Sequence, residues 1–62
     1  MHNTFILESD TNISDNLIAA GFTIECLMEL EDGDFEIMIS HNGERKVAIA
    51  ILANLGFNYV NN

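Results

Sequence analysis

Residues 22–40, reading FTIECLMELEDGDFEIMIS, constrain the fold more than any other stretch of this chain. They hold two alternating segments around an Asp-Gly pair, the pattern of two antiparallel strands joined by a tight turn. In the first segment Phe22, Ile24, Cys26, Met28 and Leu30 share one parity, and Thr23, Glu25, Leu27 and Glu29 the other. In the second, Phe35, Ile37 and Ile39 alternate with Glu36, Met38 and Ser40. Strand side chains alternate between faces, so this pattern predicts a hairpin with an apolar inner face and an outer face that bears the carboxylates. Glu31-Asp32-Gly33-Asp34 is the predicted turn.

Around this hairpin the sequence places further elements. Thr4-Phe5-Ile6-Leu7-Glu8 is rich in strand formers, and Ser9-Asp10-Thr11-Asn12 is a polar loop. Residues 13–20 predict a short helix, with Asn12 or Ser14 as its cap and Asp15 in its first turn. Gly21 ends it, and Phe22 follows as the apolar residue that folds back on the last turn. Past the hairpin, Ser40-His41-Asn42-Gly43 breaks the strand before a second helix, with Glu44 in its first turn. Val47, Ala48, Ile51, Leu52 and Leu55 form an apolar stripe at helical spacing. Gly56-Phe57 repeats the stop of the first helix, and residues 57–60 predict a last strand.

The predicted order is β-α-β, turn, β-α-β. This is an α+β chain with the split-βαβ, ferredoxin-like arrangement: a four-stranded sheet with two helices on one face. A β-hairpin packed on two helices, with unpaired ends, is the alternative. The expected inner face carries Phe5, Leu7, Ile24, Cys26, Met28, Phe35, Ile37, Ile39 and Tyr59. The expected outer face carries Ile6, Glu8, Glu25, Leu27, Glu29, Glu36, Met38 and Val60.

Sixty-two residues suffice for one small domain and no more. A domain of this size buries only about 60% of the surface of its unfolded chain, so self-association or a partner is a ready source of extra burial. The single Cys26 forms no intrachain bridge. A lone thiol, behind an N-terminus with no basic and apolar leader pattern, predicts a reducing, cytoplasmic setting. The apolar run at residues 47–55 is too short to span a bilayer.

Charge narrows the function classes. Ten acidic residues face two basic ones, for a formal net charge of −8. Such a surface repels nucleic acid and anionic lipid, and favours basic proteins, among them those whose ordinary ligand is DNA or RNA. No Ser/His/Asp order, Gly-rich phosphate loop or His-Glu-x-x-His pattern is present. Residues 31–36 offer oxygen ligands without the spacing of a calcium loop, and His2 and His41 stand apart, so neither a metal nor a cofactor is expected. Cys26, on the expected inner face, reads as a small buried hydrophobe. Arg45 and Lys46 read as surface charges.

The expected function is therefore that of a non-enzymatic, acidic protein-binding inhibitor that occupies a basic surface of another protein. Its expected contact set is Glu25, Leu27, Glu29, Glu31, Asp32, Asp34, Glu36 and Met38. The carboxylates would imitate a phosphate backbone and steer encounter, and Leu27 and Met38 would add desolvated contacts. Small, very acidic, catalytically bare chains of this type occur among inhibitors carried by phages and mobile elements, such as anti-restriction and anti-CRISPR proteins. A ferredoxin-like structural or regulatory domain that homodimerises through its sheet face is the runner-up.

Overall fold

Residues 3–57, the part of the chain described by the computed structural model, run in the order β1 (Asn3–Ser9), α1 (Ser14–Ala19), β2 (Thr23–Glu29), β3 (Phe35–His41), α2 (Arg45–Asn54). The strands form one antiparallel sheet in the order β1-β3-β2. β3 is central, and β1 and β2 flank it, each antiparallel to it. Among the described residues this is an α+β domain with three strands and two helices. The expected fourth strand falls on residues 57–60. Phe57 follows α2 outside any strand, and residues 58–60, with the placements expected for Tyr59 and Val60, lie outside the described residues.

Each element starts or stops for a local reason. β2 turns into β3 through the Asp-Gly pair: Gly33 N–H donates to the Leu30 carbonyl at 3.1 Å, and Leu30 N–H donates to the Asp34 carbonyl at 2.7 Å. Gly33 has a φ of 93°, a conformation open to glycine at little cost. Asp32 Oδ1 accepts from Asp34 N–H at 3.0 Å and stiffens the loop.

The two helices end in the same way. Phe22 N–H donates to Leu17 O at 3.0 Å and Gly21 N–H to Ile18 O at 3.0 Å. At the second helix Phe57 N–H donates to Leu52 O at 2.9 Å and Gly56 N–H to Ala53 O at 3.1 Å. Both are Schellman motifs, with the glycine at positive φ. In each, the carbonyl bonded by the phenylalanine belongs to a fully buried leucine. The starts differ from expectation. The cap positions are Ile13 and Glu44, and neither side chain caps its helix. Asn12 instead accepts from Ser14 N–H and Ser14 Oγ, because an Asx turn satisfies the same region one residue earlier.

The core is Phe5, Leu7, Leu17, Phe22, Ile37, Ile39, Ala48 and Leu52, with both helices on one face of the sheet. On α2, Ala48 and Leu52 are buried and Ile49 and Ile51 pack against the core, while Val47 and Leu55 stay exposed, so the packed stripe is shifted from the predicted one. Arg45 sets its guanidinium 4.9 Å from the Phe5 ring centroid, in cation–π range. His41, expected to be a loop residue, ends β3 half-buried. Its ring centroid lies 5.1 Å from that of Phe22, and its Nδ1 accepts from Gly43 N–H at 3.0 Å.

β2 departs from strict alternation. Ile24 pairs with Ile39, but Cys26 pairs with Met38, and Glu25 is an extra residue in a β-bulge. One inserted residue exchanges the two faces of everything after it. Leu27 therefore lies opposite Ile37 and Glu29 opposite Phe35, on the helix-covered side. Cys26 and Met28 lie opposite Met38 and Glu36, on the outer side. The expected inner placement of Cys26 and Met28, and the expected outer placement of Leu27 and Glu29, are both reversed.

Candidate functional site

The outer sheet face is the surface on which charge and apolar groups meet. Strand pairing arranges it as three rows across the sheet. Thr4, Ser40 and Thr23 form a hydroxyl row. Ile6, Met38 and Cys26 form an apolar row. Glu8, Glu36 and Met28 form a third row, towards the hairpin turn. Ile6 is 47% exposed, Met28 50% and Met38 37%; Cys26 is an exposed free thiol. Apolar side chains exposed together and rimmed by polar groups mark surfaces of association.

Glu25 is tied into this face by its place in the bulge. Ser40 Oγ donates to Glu25 Oε2 at 2.6 Å, and Ser40 is buried although it lies on the outer side. Glu8 and Glu36 are directly opposed in the β1–β3 register. Opposed cross-strand pairs have Cβ atoms about 5 Å apart, and like charges there destabilise a sheet. Glu8, Asp10, Glu29, Glu31, Asp32, Asp34 and Glu36 all belong to the hairpin-turn end of the sheet or to the loop leaving β1 beside it. Arg45 and Lys46 open α2, which follows the opposite end of β3. The molecule is therefore polarised along its strands, acidic at the turn end.

The expected contact set divides under this geometry. Glu36 and Met38 share the outer face, and Glu25 joins them there through its bond to Ser40. Glu31, Asp32 and Asp34 crowd the turn. Leu27, 42% exposed, and Glu29 sit on the helix side of the edge strand, beyond the packed core. Cys26 and Met28 take the outer positions expected of Leu27 and Glu29. The signal for this was present in the sequence. Cys26-Leu27-Met28 is a run of three apolar residues, which no two-fold alternation produces, and the buried-side residues Ile24 and Leu27 are an odd spacing of three apart.

Among the described residues no pocket opens, and no group of three or more His, Cys, Asp and Glu is placed to hold a metal. No described helix is long and apolar enough to cross a membrane. No protein-family profile, curated protein or solved structure matches this chain.

Proposed function

We propose that this chain is a small acidic binding protein without catalytic activity, one that inhibits a basic, nucleic-acid-handling protein by covering its charged surface. The observation that supports this reading is the composition of the outer face. A row of Ile6, Met38 and Cys26, extended by Met28, is exposed between the opposed pair Glu8–Glu36 and Glu25. Acidic side chains at the rim accelerate encounter with a cationic surface, and the apolar row supplies contacts that gain from losing water. A face of carboxylates alone would suit simple charge imitation; the mixed face suits a protein partner.

The same apolar row supports a second reading, a homodimer through the sheet face. A second copy brings a second net charge of −8 to the contact, so this association would need salt to form. The full ferredoxin-like arrangement, with its last strand following Phe57 on residues that lie outside the described ones, belongs to the proposal as well. Its support is that the motif which hands α1 on to β2 recurs at the end of α2.

Capture from an extract of the source cells tests the reading. The wild-type chain is compared with Met38→Asp and with Glu8, Glu25 and Glu36 all changed to Lys, at low and high salt. The expected result is salt-sensitive capture of a basic protein that both variants lose. Equal capture by all three proteins, or none by any, would contradict it.

A further inference from the structure

We infer that the free edge of β2 takes an extended, basic segment of the partner as an added strand. The inference rests on the proposed function in taking the partner to be basic, and it names how that partner is gripped. In the order β1-β3-β2, β2 has no neighbour on its outer side among the described residues. All of its residues except Ile24 are exposed. Leu30 N–H points inward, to the Asp34 carbonyl. Backbone groups in a strand alternate in direction, so Met28 also points towards β3, while Leu27 and Glu29 present an N–H and a C=O outward. The bulge at Glu25 and the hairpin turn bound this short ledge. Outward backbone groups of this kind are the template for strand addition, and the side chains beside them select what is added.

Those side chains discriminate against a second copy and in favour of a basic strand. Glu25 stands at one end of the ledge and Glu29 at the other, with Glu31 and Asp32 beyond it. Another β2 laid against this one would bring like charges into cross-strand contact, which is destabilising. Lysine or arginine in the same positions would be attracted. Cys26 and Met28 line the outer face of the ledge and Leu27 the other, so apolar residues of the added strand find apolar neighbours on both sides of the sheet.

The test uses a ten-residue peptide of alternating lysine and valine, and the same peptide N-methylated at every backbone amide. Methylation keeps the charge and removes the donors. The expected result is that the plain peptide binds and slows hydrogen exchange at the Leu27 and Glu29 amides, and that methylation weakens binding by roughly tenfold or more. Equal affinity for the two peptides would mean that charge alone holds them and would overturn the inference, as would failure of the plain peptide to bind at low salt. On the protein side, Leu27→Ala is expected to keep binding and Leu27→Pro to lose it, since proline removes only an outward N–H of an edge strand. Should Leu27→Pro fail to fold, the peptide pair decides alone. Peptide binding without capture of any basic protein would count against the proposed function; capture without peptide binding would count against the added strand only.

Discussion

Ser40 donates its hydroxyl hydrogen to the Glu25 carboxylate at 2.6 Å, across the β2–β3 pair and next to the bulge. The bond satisfies a buried hydroxyl and gives the extra residue of the bulge a fixed partner. Ser40→Ala is expected to destabilise the fold by about 1 kcal/mol, since one partner of the bond stays close to water. Urea unfolding, with the midpoint shifted at constant slope, checks this.

Gly21 and Gly56 hold φ values of 101° and 100°, and a Cβ at either would meet nothing within 4 Å. The cost of Gly→Ala at these sites is therefore conformational rather than steric, about 1–2 kcal/mol each. The two substitutions are expected to cost nearly the same, because the motifs are the same. A thermal melt of each variant tests both the size and the equality.

Glu8 and Glu36 face one another in the sheet with like charge. Glu36→Lys is expected to raise stability by about 0.5 kcal/mol at low salt, with a gain that shrinks as salt is added. The same change is expected to weaken partner capture. A variant that is more stable and less functional would show that the opposed pair is kept for binding.

Met28 and Leu27 are adjacent in sequence but lie on opposite sides of the sheet. Met28→Asp is expected to abolish capture by the outer face, whereas Leu27→Asp leaves that face intact. Circular dichroism of both variants checks that the fold survives, and the capture assay separates them.

Much of the fold was legible in the sequence because it is encoded locally. The two Gly-Phe stops, the Asp-Gly turn and the alternation of Phe35, Ile37 and Ile39 each determine their structure from neighbouring residues. Phe5, Leu7, Ile37 and Ile39 are buried as their parity predicts. The candidate site was less legible, because it depends on where one strand slips. Periodicity carried straight through Glu25 assigns Cys26 and Met28 inward; the apolar run Cys26-Leu27-Met28 hints at a slip, and the pairing of Cys26 with Met38 locates it. Helix caps failed for a related reason. Asn12 has the right chemistry, but its side chain closes a turn with Ser14 before the helix begins.

The native-state reactivity of Cys26 tests the reversed face most directly. With the thiol on the outer side, beside Met38, it is expected to react with a disulfide reagent at close to the rate of the urea-unfolded chain. Reaction limited to the rate of global unfolding would place the thiol in the core, and the apolar row proposed as the binding face would not exist.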